Sequence, residues 1–392
     1  MSNKKYQSGK HFLQLPGPSN IPNRILNAMS YPTIDHRGPE FSELALKCLS
    51  GIKTIFKTES PVIIFPASGT GAWEAALVNT LNEDDYVLMV ETGHFASLWN
   101  KMAQKLGLKI EILQTNWREG LDPLEIEKRL KLDVDKKIKA VCIVHNETST
   151  GCTSDVKAVR EILNNLNHDA LLMVDTISGL GSINYEHDSW GVDVTISGSQ
   201  KGLMLPPGVS FNAISEKAII TSKKSTLKRF YWDWSEHLEF NKNGFFPYTP
   251  ATNILFGLKE AIDMLHEEGL DNVFKRHARY SKATRIAVEA WGLEVFCKNI
   301  NRFSDVLTGV MVPEEKDADQ LRKIILENFN MSLGNGLSKL KGKIFRIGHL
   351  GDFNDLSLLG TLSGVEMGLD LMQIPIKEAG VEKAREYLKE NL

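Results

Sequence analysis

The amino-acid sequence predicts an α/β fold in which a large domain with a mostly parallel seven-stranded sheet precedes a smaller α+β domain. Seven short apolar segments between Val62 and Ile214 alternate with helical stretches, as in a parallel sheet that is covered on both faces. Beyond Thr249 the pattern changes to long amphipathic helices and further strands. A chain of 392 residues suits two or three domains at about 150 residues each.

Short runs rich in Val, Ile and Leu mark each predicted strand of the large domain, and such runs are typical of strands buried on both faces. The predicted strands span 62–65, 86–90, 109–114, 139–145, 170–174, 192–197 and 208–214. Helices are predicted between them, beginning near Ala72 and passing through 99–106, 123–130 and 156–166.

Three segments are predicted along the chain: an arm at 1–24, the large domain at 25–264 and the small domain at 265–392. Within the arm, Pro16-Gly17-Pro18 excludes a helix or a central strand, because proline lacks an amide N–H and fixes φ. Toward the C-terminus, helices are predicted at 253–268, 276–290, 318–328 and, as the last one, 354–372. Strands are predicted there at 293–296, 306–312 and 344–347.

Composition and charge exclude several classes of protein. There are 46 Lys and Arg residues against 49 Asp and Glu residues, and the net charge of −3 argues against a general nucleic-acid or membrane-surface binder. No apolar run approaches the roughly 18 residues that span a bilayer, and no apolar stretch follows the N-terminal lysines as in a secretory signal. The four cysteines form no C-x-x-C pair, which argues against a zinc or dithiol motif. We therefore expect a cytoplasmic enzyme without a metal site.

Polar segments follow four of the predicted strands, at the end where parallel α/β sheets collect their ligands. One of them joins a strand to a helix N-terminus, where backbone N–H groups can hold a phosphate. It does not match the dinucleotide pattern G-x-G-x-x-G, because Glu74 occupies the third glycine position, and a tight turn with a capping Ser or Thr is the alternative. The four segments are Ser68-Gly69-Thr70-Gly71, Asn146-Glu147-Thr148, Asp175 and Gln200-Lys201.

Asp175 and Lys201 lie one strand–helix–strand step apart, which can place both side chains at the same edge of the sheet. A carboxylate that ends an apolar strand needs a cationic partner or several hydrogen bonds. The alternative interpretation of Asp175 is that it caps the next helix. Small residues flank Lys201 and leave room for a bound group. The alternative interpretation is that Lys201 is a solvated surface lysine. A phosphate-binding loop, an aspartate for a pyridinium nitrogen and a lysine for a Schiff base are the three parts of a pyridoxal-phosphate (PLP) site.

Five motifs along the chain carry a family resemblance: P-G-P-S-N at 16–20, S-G-T-G at 68–71, H-N-E-T-S-T-G at 145–151, S-G-S-Q-K at 197–201 and R-I-G-H at 346–349. In this order they resemble the class-V, fold-type I aminotransferases, which are PLP enzymes, and are most similar to the serine–glyoxylate and alanine–glyoxylate members. The resemblance covers nearly the whole chain. The segment Asp175-Thr176-Ile177-Ser178 departs from the commoner family form at Thr176, a change that is conservative in size.

The resemblance implies a role for each matching residue. Lys201 would bind PLP covalently and then move the proton between substrate and cofactor, while Asp175 would pair with the pyridinium nitrogen. Phe95 would stack on the ring, and Thr148 would lie beside the phenolic oxygen. Thr249 would reach the phosphate of the neighbouring subunit, which implies a homodimer with active sites at the subunit interface. The implied phosphate ligands are Ser68, Gly69, Thr70 and Gln200.

Three further residues are implied to bind substrate. Arg346 matches the arginine that grips the substrate carboxylate, a role that suits a planar guanidinium because it makes two parallel hydrogen bonds. His36 and Arg37 match a segment that approaches the neighbour's site in serine–glyoxylate relatives and that an aspartate–glyoxylate group shares. The implied reaction is a ping-pong transfer of the amino group of a small L-amino acid, most closely serine, to glyoxylate. Alanine and aspartate remain alternative donors.

Three other functions fit less well. A cysteine desulfurase needs a thiolate on a mobile loop of the small domain, where Cys297 is the only cysteine and 318–348 has none. A non-catalytic PLP-binding regulator would carry an appended DNA-binding domain, for which the arm is too short. A Rossmann dehydrogenase would need the glycine fingerprint that fails at Glu74.

Overall fold

A computed structural model describes residues 8–392 of the chain. Its strands are β1 (Phe12–Gln14), β2 (Val62–Phe65), β3 (Tyr86–Glu91), β4 (Lys109–Gln114), β5 (Ile138–Val144), β6 (Asn146–Glu147), β7 (Cys152–Thr153), β8 (Leu171–Asp175), β9 (Val194–Gly198), β10 (Ser210–Ile214), β11 (Glu294–Val295), β12 (Leu307–Met311), β13 (Met331–Asn335) and β14 (Ile344–Gly348).

The α-helices of the described chain are α1 (Asn23–Met29), α2 (Pro39–Phe56), α3 (Gly69–Thr80), α4 (His94–Lys105), α5 (Pro123–Leu132), α6 (Val156–Asn165), α7 (Glu216–Ser222), α8 (Trp234–Asn241), α9 (Thr252–Glu268), α10 (Leu270–Trp291), α11 (Ala318–Phe329), α12 (Asp355–Leu371) and α13 (Gly380–Glu390). Over residues 8–392, none of them combines the length and apolar character needed to cross a membrane.

The larger sheet has seven strands in the order β2-β10-β9-β8-β5-β3-β4. Strand β10 runs antiparallel to both of its neighbours, and the other four pairings are parallel, so the predicted mostly parallel seven-stranded sheet is confirmed. Every residue of β2, β8, β9 and β10 is buried, as the continuous apolar runs of the sequence predict.

The register of the central strands positions the functional residues. In the ladder, Asp175 at the end of β8 pairs with Val144 of β5 and with Ile196 of β9. The carboxyl ends of these three strands therefore lie side by side, and the segments that leave them meet at one edge of the sheet.

The smaller sheet has the order β1-β13-β14-β12-β11, and β1 joins it in parallel with β13. The other pairs are antiparallel. Sequence analysis missed β1 and β13. The first has three residues, and the second contains Ser, Gly and Asn, which have low strand propensity, so pairing between distant segments creates both strands.

Helix α10 joins two of the hydrophobic cores in the described chain. Near its start Val273 belongs to the core under the large sheet, whereas Tyr280 and later residues belong to the core under the small sheet.

The prediction that 354–372 is the last helix is wrong, because α13 follows it. Within α13, Ala384 and Leu388 are among the few buried residues, so its apolar stripe is too narrow to stand out in the sequence.

Candidate active site

A cavity of about 250 Å³ opens at the carboxyl ends of β5 and β8. A larger groove of about 800 Å³, between α2 and α8, contains none of the predicted site residues. The smaller cavity is therefore the candidate site, because the predicted chemical groups converge on it. The predicted residues that line it are Ser68, Gly69, Thr70, Phe95, Thr148, Asp175, Gln200 and Lys201.

One end of the cavity is built to hold an anion. Helix α3 begins at Gly69, and Ser68 precedes it without a side-chain hydrogen bond that caps the helix. The first N–H groups of a helix have no partner inside it and carry the positive end of its dipole. A Cβ on Gly198 would lie 3.7 Å from the Gly69 nitrogen and 3.1 Å from Gln200 Oε1, so the Gln200 amide lies at this end of the cavity, where its NH₂ group is the part that can donate to an anion.

Asp175 is a buried carboxylate with 3% of its surface exposed. The Ile177 amide donates to Oδ1 at 2.7 Å, and the Trp73 indole N–H donates to Oδ2 at 3.0 Å. The pKa of Asp175 is raised to about 7, mainly by burial and also by Glu147, while the two hydrogen bonds and Lys201 act to lower it. The group is thus poised between its two charge states.

Lys201 lies at the same cavity with 7% of its surface exposed. Its pKa is lowered to about 7, mainly by burial and also by the charge of Arg346, while Asp175 and Glu147 act to raise it. A substantial part of the amine is therefore neutral near pH 7, as a nucleophile or base requires. The predicted meeting of Asp175 and Lys201 at one edge of the sheet is what the structure shows.

The arm crosses the site next to Lys201. The lysine Nζ donates to the Pro16 carbonyl. Beyond it, Ser19 donates through its amide to the Gln200 carbonyl at 3.1 Å and through its hydroxyl to the Lys201 carbonyl at 2.9 Å. The P-G-P-S-N motif therefore forms one wall of the cavity and is tied to the backbone of the lysine segment.

We expect Gly17→Ala to weaken PLP binding by about tenfold or more, since overpacking costs about 1–3 kcal/mol. Gly17 has a φ of +94°, and an added Cβ would overlap Lys201 Cδ and lie 2.5 Å from Nζ. Absorbance titration of the cofactor-free protein with PLP measures the effect. Gly9→Ala is the control, because Gly9 has a φ of +86° with nothing within 4 Å in the described chain. Equal weakening by both variants would contradict the contact with Lys201.

Glu147 is a buried site residue whose role the sequence did not suggest. Its side chain is 0% exposed and accepts hydrogen bonds from the Ala96 amide at 3.1 Å and from Ser149, through the amide at 3.0 Å and the hydroxyl at 2.6 Å. The Phe95 amide also approaches it at 3.4 Å. Glu147 thus fixes the start of α4, which carries Phe95 at the cavity.

Arg346 lies on β14 of the smaller sheet and reaches the cavity wall. Its Nε donates to the Asn335 carbonyl at 2.8 Å, and its Nη1 donates to the Thr148 carbonyl at 2.7 Å. Burial lowers its pKa to about 10, so the guanidinium stays charged at neutral pH. Within the described chain, Nη2 has no hydrogen-bond partner and is available for a carboxylate.

Four of the predicted residues are not among those that line this cavity: Arg346, which contacts its wall through Thr148, and the three residues Thr249, His36 and Arg37. Arg37 and Thr249 are exposed, and His36 is partly exposed. The Arg37 amide donates to Asp35 Oδ1 at 2.9 Å, which shapes the turn before α2. Within one chain, the structure therefore does not bring these three side chains to Lys201.

The groups around the cavity fit PLP. The start of α3 suits its phosphate, the Asp175 carboxylate suits a ring N–H, and the Lys201 amine suits an aldehyde. Among residues 8–392, two buried oxygens that border the cavity, Gln200 Oε1 and Asn146 Oδ1, lack a hydrogen-bond partner. A bound ligand with donor groups or ordered water would satisfy them. Fold and site together define a PLP-dependent enzyme of fold type I.

Comparisons with known proteins place the chain more narrowly. The family model for aminotransferase class V matches residues 11–319. Serine–glyoxylate aminotransferase of Methylorubrum extorquens is 45% identical over 98% of this chain and 97% of its own length. L-aspartate–glyoxylate aminotransferase of Paracoccus denitrificans is 39% identical over 96% of each chain. The crystal structure of ureidoglycine–glyoxylate aminotransferase from Bacillus subtilis superimposes with a TM-score of 0.91 and 26% identity, covering 98% of this chain and 100% of the other.

The chain belongs to the class-V aminotransferases. It is accordingly a transaminase whose cofactor is PLP, as the sequence motifs predicted. Sequence reasoning missed two residues at this site, Glu147 as a support of α4 and Trp73 as a partner of Asp175.

Proposed function

We propose that the protein is a serine–glyoxylate aminotransferase. It would transfer the amino group of L-serine to glyoxylate and form hydroxypyruvate and glycine in two half-reactions. The observation that carries this proposal is the meeting of Lys201 and Asp175 in one cavity, with a buried Arg346 hydrogen-bonded to Thr148 in the wall of that cavity. The relative from Methylorubrum extorquens supports serine as the donor.

Each residue has a distinct task in this reaction. When bound, PLP supplies an aldehyde that captures amines and a ring that accepts electrons. Lys201 holds the cofactor and moves a proton to and from the substrate α-carbon, because its pKa near 7 lets it act as both base and acid. Asp175 keeps the proton on the ring nitrogen. Ser68, Gly69 and Thr70 at the start of α3 would hold the phosphate together with Gln200, while Phe95 would stack on the ring and Thr148 would lie by the phenolic oxygen.

Arg346 serves both half-reactions. The amino donor and glyoxylate each carry a carboxylate beside the reacting carbon, so a single guanidinium can orient both substrates in turn. Since Nε and Nη1 are held by the Asn335 and Thr148 carbonyls, the arginine is fixed before substrate arrives. This preorganisation lets one site orient both substrates of a ping-pong reaction in turn.

The proposal includes a homodimer with shared active sites. In a dimer, Thr249 would reach the partner's phosphate, and His36 and Arg37 would approach the partner's substrate. These side chains are exposed or partly exposed and do not line the cavity of their own chain, which supports this arrangement. We further propose a cytoplasmic location, which the four buried cysteine thiols support.

We also propose the segment boundaries 1–24, 25–264 and 265–392 for arm, large domain and small domain. Separate hydrophobic cores under the two sheets support a division into two domains, and the change from one core to the other falls between Val273 and Tyr280 of α10. The pairing of β1 with β13 ties the arm to the small sheet.

A panel of donors tests the proposed function. Purified protein is mixed with glyoxylate and with L-serine, L-alanine or L-aspartate, and glycine formation is followed. We expect the highest kcat/KM with serine. A higher kcat/KM with aspartate or alanine would assign that amino acid as the donor in place of serine. If no donor gave glycine, the proposal would be overturned.

We expect Arg346→Ala to raise the KM for serine and for glyoxylate by about 10- to 100-fold, because a hydrogen-bonded charge pair contributes about 1.5–3 kcal/mol. Steady-state kinetics with each substrate varied measure the change. Arg322→Ala is the control, since Arg322 also donates to a backbone carbonyl of the small sheet, at Leu333, but has no hydrogen bond to the cavity-lining Thr148 in the described chain. An unchanged KM in Arg346→Ala would mean that the carboxylates are held elsewhere.

A further inference from the structure

Trp73 links the phosphate-binding helix to the site carboxylate. It lies on α3, one turn after Gly69 and Thr70, and borders the cavity. Its indole N–H donates to Asp175 Oδ2 at 3.0 Å, while the Ile177 amide donates to Oδ1 at 2.7 Å. Each carboxylate oxygen therefore has one protein donor, and the plane of the carboxylate is fixed.

The position of the indole is itself fixed by packing. Trp73 is 1% exposed, and its ring stacks on Trp99 of α4 with centroids 5.8 Å apart and an interplanar angle of 13°. Trp99 is equally buried, but among the described residues its own Nε1 has no hydrogen-bond partner. The two tryptophans thus share one aromatic layer, and Trp73 alone of the pair contacts Asp175.

We propose that Trp73 is a positioning residue that holds the Asp175 carboxylate in the orientation and the charged state that keep the ring nitrogen of PLP protonated. The proposal rests on the proposed placement of that nitrogen against Asp175. A hydrogen-bond donor stabilises the charged form of the Asp175 carboxylate more than its protonated form. The proton therefore stays on the ring nitrogen and does not move to the carboxylate.

The surroundings of Asp175 make this donor important. Burial and the negative charge of Glu147 both favour the protonated carboxyl, and Lys201 opposes them by its charge. The hydrogen bonds from the Ile177 amide and the Trp73 indole also favour the charged carboxylate. Of these two donors, the indole belongs to a side chain, so a substitution can remove it without changing the backbone.

The test compares Trp73→Phe with Trp99→Phe in the holoenzyme. Both substitutions remove an indole N–H from the same buried layer and keep an aromatic ring, but Trp73→Phe removes the donor to Asp175. PLP labelled with ¹⁵N in its ring is bound to each protein, and the ¹⁵N chemical shift reports the protonated fraction of the nitrogen. Far-UV circular dichroism confirms the fold, and absorbance titration gives the Kd for PLP.

We expect a protonated ring nitrogen in the parent and in Trp99→Phe. In Trp73→Phe the ratio of unprotonated to protonated nitrogen should rise by about 10- to 100-fold, as the loss of one hydrogen bond to a charged group implies. Trp73→His, which keeps a ring N–H, should recover part of this change. An unchanged shift in a folded Trp73→Phe would overturn the proposal, as would equal changes in both phenylalanine variants. An unprotonated nitrogen in the parent would instead overturn the placement of Asp175.

Discussion

Replacing Lys201 with alanine is expected to lower aminotransferase activity by at least about 10²- to 10⁴-fold, the range that a positioned proton-transfer group supplies. The same variant should no longer hold PLP covalently. Borohydride treatment followed by peptide mass spectrometry locates the attachment in the parent, and glycine formation from serine and glyoxylate measures the activity.

The physical reason is the neutral amine at the cavity. An exposed lysine has a pKa of about 10.4 and is almost fully protonated at pH 7. For Lys201, burial and the nearby Arg346 bring the pKa to about 7, with Asp175 and Glu147 acting in the opposite direction. Since the neutral amine is the nucleophile, capture of PLP by the cofactor-free parent should become faster as pH rises through about 7. Lys201→Ala should show no such capture.

Lys217→Ala is the matched control. Burial also lowers the pKa of Lys217, which donates to the Ala170 carbonyl at 3.2 Å but does not border the cavity. This variant should keep parental activity and covalent PLP. Turnover by Lys201→Ala at the parental rate, or attachment of PLP at another lysine, would show that Lys201 is not the reacting residue.

The sequence predicted the meeting of Lys201 and Asp175 because it depends on a general rule. Parallel strands that alternate with helices bring their carboxyl ends to one edge, so polar residues that follow apolar runs converge there. The alternation is visible locally, in the apolar runs before Asp175 and before Gln200. The order of the strands was not needed for this conclusion and was not predicted.

Contacts between distant segments could not be predicted from local patterns. Trp73 lies in an apolar helix and reads as a core residue, since its hydrogen bond joins it to an aspartate far along the chain. Glu147 was part of a polar segment, but its hydrogen bonds to the start of α4 depend on how that helix packs. The arm gave no sign of β1, because a strand of three residues exists only where β13 pairs with it.

Asp175→Asn is expected to lower kcat by about 10²- to 10³-fold, comparable to the loss of a main electrostatic contact in an active site. The amide has nearly the same shape as the carboxylate but no charge, so it cannot keep the proton on the ring nitrogen of PLP. It also has one acceptor oxygen, whereas both carboxylate oxygens accept hydrogen bonds, from Ile177 and Trp73. Its NH₂ group must therefore face one of these N–H donors.

The kinetic pattern separates this loss from a general loss of stability. The KM for serine should change little, because Arg346 is unchanged. The absorbance of bound PLP should shift, because its ring nitrogen is no longer protonated. Asp305→Asn is the control: burial also raises the pKa of Asp305, which accepts a hydrogen bond from the Ser281 hydroxyl at 2.8 Å away from the cavity. That variant should keep the parental kcat. A parental kcat in Asp175→Asn would show that the cofactor ring does not depend on this carboxylate, because the substitution leaves every neighbouring side chain in place while removing the negative charge.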